Sequence, residues 1–227
     1  MISIEEVNKD IILIPAKGHS VRCPGKNIKL LEWASNYLGE KSNRAIVITD
    51  SDDIIEESKK FNLHFFKSSI TTNELSAMLD YLEKNNYKRE YFIYLPLTQP
   101  LREIGLIDML DDMETKKDFI VSKNKYINRD IFRISDNSFI TQSFERKGCL
   151  CNRDNCIDGA IYKISVDFFK KVNSNNNVNH EFWNGDFETI TNNMPFLDID
   201  EIEDLNCFNN LLKLFNYENG NLYIDKR

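Results

Sequence analysis

Residues 11–27 read I-I-L-I-P-A-K-G-H-S-V-R-C-P-G-K-N, and the fold turns on how this stretch is read. Ile11, Ile12, Leu13 and Ile14 form an unbroken apolar run. Such a run suits a parallel strand covered on both faces. It gives way to a loop holding Gly18, Ser20, Arg22, Pro24, Gly25 and Lys26, and a helical pattern begins directly after. Open α/β sheets bind ligands at the C-terminal ends of such strands. A glycine lets backbone N–H groups approach an anion with no Cβ in the way. Successive N–H groups, with the N-terminus of the next helix, make a concavity for phosphate. Lys17, Arg22 and Lys26 add three cations within ten residues, which an uncharged ligand would not require. The spacing is neither G-x-x-x-x-G-K-[ST] nor G-x-G-x-x-G. A polar surface turn with solvated lysines is the competing reading.

Outward from this loop, Leu30, Leu31, Ala34, Tyr37 and Leu38 recur at helical spacing, so residues 28–40 read as an amphipathic helix. Strands are expected at 45–49, 63–66, 91–95, 119–122 and 158–164. Helices are expected at 53–60, with Asp52 as a cap, and at 73–85, 103–116, 166–172 and 201–215. Short strands are expected at 131–134 and 139–144, a solvated loop over 173–180, and a last core strand at 194–199. Residues 96–102 contain two prolines, which cannot continue a strand or a helix. A rigid loop in that place is suited to building a site, with Thr98 and Arg102 as its polar candidates.

With 227 residues the chain is long enough for one substantial core, and residues 1–227 are read as a single α/β domain. The net charge of −7 leaves no basic stripe for a nucleic-acid backbone. Neither a signal-peptide pattern nor a membrane-length apolar run is present, so a soluble cytoplasmic protein is expected. Five cysteines read as free thiols in that compartment. Cys149, Cys151 and Cys156 lack a fourth ligand and the paired spacing of a zinc site.

Asp198 and Asp200 lie at i and i+2, so both carboxylates point to one side of an extended chain. Two hard oxygen ligands suit Mg²⁺, which completes its shell with phosphate and water. The alternative for Asp200 is a capping box with Glu203 ahead of the last helix.

Four blocks carry a resemblance. The opening loop is similar to the I-P-A-R-x-x-S-K-x-x-P-x-K-N signature of the acylneuraminate cytidylyltransferases. L-P-L-T-Q-P-L-R at 95–102 resembles L-Q-P-T-S-P-L-R. D-G-A-I-Y at 158–162 resembles N-G-A-I-Y, and D-I-D-E-I-E-D-L at 198–205 resembles D-I-D-T-x-x-D-L. Together they span nearly the whole chain in the family's order. The resemblance implies a Rossmann-like, mostly parallel mixed sheet flanked by helices, of nucleotide-diphospho-sugar transferase type. It implies attack of an acidic keto sugar's hydroxyl on the α-phosphorus of CTP, with pyrophosphate leaving, in the synthesis of surface glycans.

On this resemblance Ala16, Lys17, Gly18, Ser20, Arg22, Lys26, Asn27, Lys67 and Thr72 would hold the nucleotide. Thr98, Gln99, Arg102, Arg146, Asp158 and Gly159 would face the acceptor, and Asp198 and Asp200 would hold Mg²⁺. Lys26, Arg22, Asp198 and Asp200 would carry the chemistry. Residues 124–157 would form a small extension that crosses to a second subunit, so a homodimer is implied. The chain departs from the pattern at Val21, Pro96, Gln99, Cys156 and Asp158. S-x-R-x-P-G-K also resembles the 3-deoxy-manno-octulosonate cytidylyltransferases. The departures cluster on the acceptor side, so the acceptor stays open among sialic, legionaminic and pseudaminic acids, octulosonate and acceptors outside that class. A non-catalytic nucleotide binder on the same fold is the alternative from another class.

Overall fold

The structure is a computed structural model that describes residues 9–70, 73–124, 156–174, 181–218 and 221–224. Its sheet grows from the apolar run. Strand β1 (Ile12–Pro15) is fully buried. It lies between β2 (Ala45–Thr49) and β4 (Tyr91–Tyr94), parallel to both. β3 (His64–Lys67) continues the parallel half beyond β2. β6 (Cys156–Ser165) then pairs antiparallel with β4 and with β5 (Phe119–Asn124). β7 (Phe187–Asn192) runs parallel to β5 at the edge. The order is β3-β2-β1-β4-β6-β5-β7, and β8 (Phe215–Glu218) and β9 (Asn221–Ile224) form a separate hairpin.

Alternation along β1 divides the core between the two faces, as the period of two requires. Ile12 and Ile14 pack with Leu30, Leu31 and Ala34 of α1 (Lys26–Leu38), Ile54 of α2 (Asp52–Lys60), Leu106 of α4 (Leu106–Asp112) and Phe208 of α6 (Ile202–Leu214). Ile11 and Leu13 face the opposite way, toward Met78 and Leu82 of α3 (Glu74–Lys84) and Phe169 of α5 (Val166–Asn173). At the N-terminal edge of the sheet, Arg44 meets Asp111 in a buried pair with Nη2 2.5 Å from Oδ2. Lys163 Nζ donates there to the carbonyls of Leu110 and Met113 at 2.8 and 3.0 Å.

Three expectations are corrected. Residues 194–199 are not a strand; β7 ends at Asn192 and takes the edge beside β5. The helix expected over 103–116 is confined to Leu106–Asp112, because Gly105 enters it in the left-handed region at φ 86° and Met113 is extended. Asp52 is the first residue of α2 and not its cap; Ser51 holds that place without a side-chain capping bond. Just ahead of α6, Asp204 Oδ2 accepts from the N–H groups of Asp200 and Glu201 at 3.0 and 2.8 Å. The strands expected at 131–134 and 139–144 lie outside the described residues, as does nearly all of the 124–157 extension.

Candidate active site

The loop after β1 is shaped by its neighbours before any ligand is considered. Ala16 N–H donates to Ile48 O at 2.8 Å, extending the parallel ladder past β1. Gly18 N–H then donates to Asp50 Oδ1 at 2.8 Å. A Cβ on Gly18 would stand 2.3 Å from Ser51 Cβ, so only glycine lets the loop lie this close to the end of β2. Asn27 Nδ2 donates to Lys17 O at 2.8 Å, tying the loop's start to the start of α1. Ser20 Oγ accepts from Cys23 N–H at 3.3 Å. Gly25, at φ 72°, precedes α1 and supplies no capping side chain.

The loop meets the D-I-D segment through Lys26. Its side chain is buried, and Nζ donates to Ile199 O at 2.6 Å. The same Nζ lies 3.6 Å from Asp200 Oδ1, and Arg22 Nη2 lies 3.2 Å from that oxygen. Ile199 N–H donates to Thr98 O at 2.7 Å. One residue therefore joins the loop after β1 to the loop after β4. Two cations thus face the Asp200 carboxylate, one from the loop and one from the first turn of α1.

A third acid belongs to this edge and was missed in the sequence. Glu74 opens α3, and Tyr94 Oη donates to its Oε1 at 3.4 Å. Glu74 keeps an open surface, yet the protein packed around its carboxyl raises its pKa by desolvation. Lys17, the Tyr94 bond and Lys26 oppose that rise, and Asp198 adds to it. Desolvation, then Glu74 and Tyr162, push Tyr94 far up. Tyr94 stacks on Tyr162 at 5.2 Å between centroids. An acid in the first turn of a helix that follows an Asn cap reads in sequence as dipole compensation, so no signal marked Glu74 out.

The loop over 95–102 is held from below. Trp33 Nε1 donates to Pro100 O at 2.8 Å, and Asn192 Nδ2 donates to Leu101 O at 3.0 Å. Arg102 donates from Nε to Ala160 O at 2.8 Å and from Nη2 to Pro96 O, with its guanidinium over the Tyr37 ring. Burial draws its pKa down to about 10, against the pull of Tyr37 and Asp158. Asp158 is 1% exposed and accepts from Ser122 Oγ, Ala160 N–H and Asn192 Nδ2. Arg102 and Asp158, expected to face the acceptor, are thus placed beneath the loop as its supports. Gln99 and Gly159 lie against each other.

Lys67, expected to face the triphosphate, is paired at the surface with Asp52 at 2.6 Å. Val21 is 81% exposed. Thr72, Arg146, Cys149 and Cys151 lie outside the described residues. Among the described residues no three His, Cys, Asp or Glu side chains group as a metal site. No helix there is long and apolar enough to cross a membrane. The arrangement offers cations and amides for a polyanion at one end, two aspartates beside them, and a rigid two-proline loop opposite.

No protein-family model matches the chain, and no curated protein does. Solved structures do match. CMP:2-keto-3-deoxy-manno-octonic acid synthetase complexed with CTP is 14% identical, with a TM-score of 0.63 over 91% of this chain and 99% of that one. The 4-diphosphocytidyl-2C-methyl-D-erythritol synthase of Anaerococcus prevotii is 13% identical, with a TM-score of 0.57 over 90% and 99%. The inositol-1-phosphate CTP transferase of T. maritima is 9% identical, with a TM-score of 0.59 over 87% and 92%. At these identities the likeness is one of fold: the chain has the Rossmann-like, mostly parallel mixed sheet of the nucleotide-diphospho-sugar transferases.

Proposed function

We propose that this chain is a CTP-dependent cytidylyltransferase that moves CMP to the hydroxyl of an acidic keto sugar and releases pyrophosphate. The observation that carries the reading is the meeting of Arg22, Lys26 and Asp200 at the C-terminal edge of the sheet, across 173 residues between Lys26 and Ile199. Similarity in fold to two proteins whose names include CTP, the octonic acid synthetase complexed with it and the inositol-1-phosphate CTP transferase, supports it. Phosphoryl-type transfer requires positioning and charge neutralisation more than a covalent nucleophile. The amides of the loop, with Ser20, Arg22 and Lys26, bind the triphosphate and hold its α-phosphorus toward the acceptor. Ala16, Lys17, Gly18 and Asn27 fix that loop, and Lys17 adds charge.

Asp198 and Asp200 fit Mg²⁺ by donor chemistry: two carboxylates flank Ile199, whose N–H and C=O are both held. When bound there, the metal neutralises charge on the departing pyrophosphate. Thr98, Gln99 and Gly159 line the acceptor side. A nonulosonic acid such as sialic, legionaminic or pseudaminic acid is the acceptor that the four sequence blocks favour. The second reading, 3-deoxy-octulosonate, is supported by the S-x-R-x-P-G-K loop and by likeness in fold to the synthetase named for that acid.

Pyrophosphate release with CTP and Mg²⁺ against these four acids is the test. Release with one of them names the acceptor. CTP binding without release from any of them leaves an acceptor outside these four or a non-catalytic nucleotide binder, and absence of CTP binding refutes the reading of the loop.

A further inference from the structure

The segment that carries the two aspartates is irregular, yet both of its ends are fastened to the loop after β4. At one end Ile199 N–H donates to Thr98 O at 2.7 Å. At the other stands Asn192, the last residue of β7 and 1% exposed. A primary amide has two donor hydrogens and an oxygen with two acceptor positions. Asn192 uses all four. Its Nδ2 donates to Leu101 O at 3.0 Å and to Asp158 Oδ2 at 2.8 Å. Its Oδ1 accepts from Glu103 N–H at 3.0 Å and from Met194 N–H at 3.2 Å. Glu103 returns the contact, with Oε2 accepting from the N–H and the Nδ2 of Asn193 at 3.1 and 2.6 Å. Met194 O accepts in turn from Asn124 Nδ2. One buried side chain thus binds the end of the loop after β4, the approach to α4 and the path of the chain as it leaves β7. That path leads to Asp198 and Asp200.

We infer that Asn192 is a positioning residue for the transfer reaction: it sets the segment bearing the two aspartates against the loop after β4 by binding the backbone of both. The inference rests on the proposed cytidylyl transfer and names what aligns its two halves. A segment with no ladder of its own and a single anchor at Ile199 could shift, and a misplacement of about 1 Å at a reacting centre costs about 100-fold in rate. The nucleotide is bound by the loop after β1, which Asn192 does not touch. Turnover and CTP affinity should therefore part company when Asn192 is changed.

Two variants loosen the clamp. Asn192→Ala removes all four bonds, and Glu103→Ala removes the outer pair to Asn193 at a partly exposed position. Hydrogen exchange, calorimetric CTP binding in EDTA and pyrophosphate release with the four acids are measured on both, below their melting temperatures. In Asn192→Ala the Ile199 amide should exchange about tenfold faster or more, while the Ala16 amide, bonded to Ile48 O, keeps its protection. Its kcat should fall about 10- to 100-fold with the Kd for CTP within about twofold. Glu103→Ala should move the same two quantities in the same direction, by about threefold or more.

An asparagine that only stabilises the core would lower the melting temperature and leave kcat and the Ile199 amide as in the parent. That result overturns the inference, and so does equal acceleration of exchange at Ala16 and Ile199. If Asn192→Ala does not fold, Glu103→Ala decides by the same readings. If CTP binds but none of the acids turns over in the parent, the transfer reading fails on its own terms, and the Ile199 amide still decides whether Asn192 holds the segment.

Discussion

Replacing Asp200 by Asn separates the proposed role of this carboxylate from a structural one. Its partner Arg22 has a side chain 47% exposed, and the Asp200 side chain is 32% exposed. Partly exposed ion pairs contribute about 0–1 kcal/mol. Lys26 is buried, but its stronger contact is the 2.6 Å bond to Ile199 O, which the substitution leaves in place. The 3.6 Å separation to Asp200 is the weaker of its two contacts. The bonds from the Asp200 and Glu201 N–H groups to Asp204, just ahead of α6, also persist. The expected loss of stability is therefore about 1 kcal/mol, or about 2–4 °C in melting temperature for a chain of this size. The expected loss of turnover is far larger. Removing one preorganised electrostatic group from a transfer site costs about 100- to 1,000-fold in kcat. Thermal melting, calorimetric CTP binding and pyrophosphate release measure the two sides. Turnover within about threefold of the parent would sink the catalytic assignment. A fall in melting temperature well beyond 10 °C would show instead that Asp200 is a structural pin.

Three further substitutions test the supports of the site. Gly18→Ala places a Cβ 2.3 Å from Ser51 Cβ, so CTP affinity should fall about tenfold or more while the core stays folded; unchanged affinity in calorimetry would mean that the loop shifts freely. Arg44→Met leaves Asp111 buried, with Lys9 at 3.4 Å as its remaining ion-pair partner among the described residues, and should cost about 3–5 kcal/mol in denaturant unfolding with CTP binding intact. A cost under 1 kcal/mol refutes the account of that pair. Glu74→Gln tests the missed acid through pH. Burial raises Glu74 above its ordinary 4.5, so the folded chain holds this proton more tightly than the unfolded one. That contribution is complete below about pH 4.5 and is lost as pH rises through the folded value. The variant should accordingly gain stability relative to the parent from pH 4 to pH 7, read from denaturant midpoints. A constant or reversed gap contradicts the assignment.

The elements that could be read from the sequence are those whose cause is local. β1 is buried on both faces, so its pattern is a plain apolar run, and α1 shows its buried stripe directly. β7 had no such mark. F-E-T-I-T-N is mostly half-buried, and it becomes a strand because β5 lies alongside it in parallel register. The 194–199 segment failed for the converse reason: its composition suits a strand, but no run of ladder bonds carries it, although Ile199 N–H reaches Thr98 O. In the site, the cationic loop and the two aspartates could be found by residue type and spacing. The division of Arg102 and Asp158 from Gln99 and Gly159 could not. A loop motif records which polar residues are present, but not which of them are consumed in holding the loop.

That division bears on how the two aspartates should be understood. Their spacing suggested a shared direction on a pleated strand, and the segment that carries them is not a strand. What fixes them is Ile199, whose N–H is given to the loop after β4 and whose C=O is taken by Lys26 from the loop after β1. The aspartates on either side then fall into different electrostatic settings. Asp200 lies with Arg22 and Lys26, while Asp198 acts on Glu74 and Tyr94. Two carboxylates so anchored can be drawn toward one cation only by changes at their own side chains, since the backbone between them is held from both sides. A polyanion that takes Arg22 and Lys26 away from Asp200 would free that carboxylate at the moment its charge is needed. The loop after β1 and the D-I-D segment are in this sense one device, assembled from the two ends of the chain.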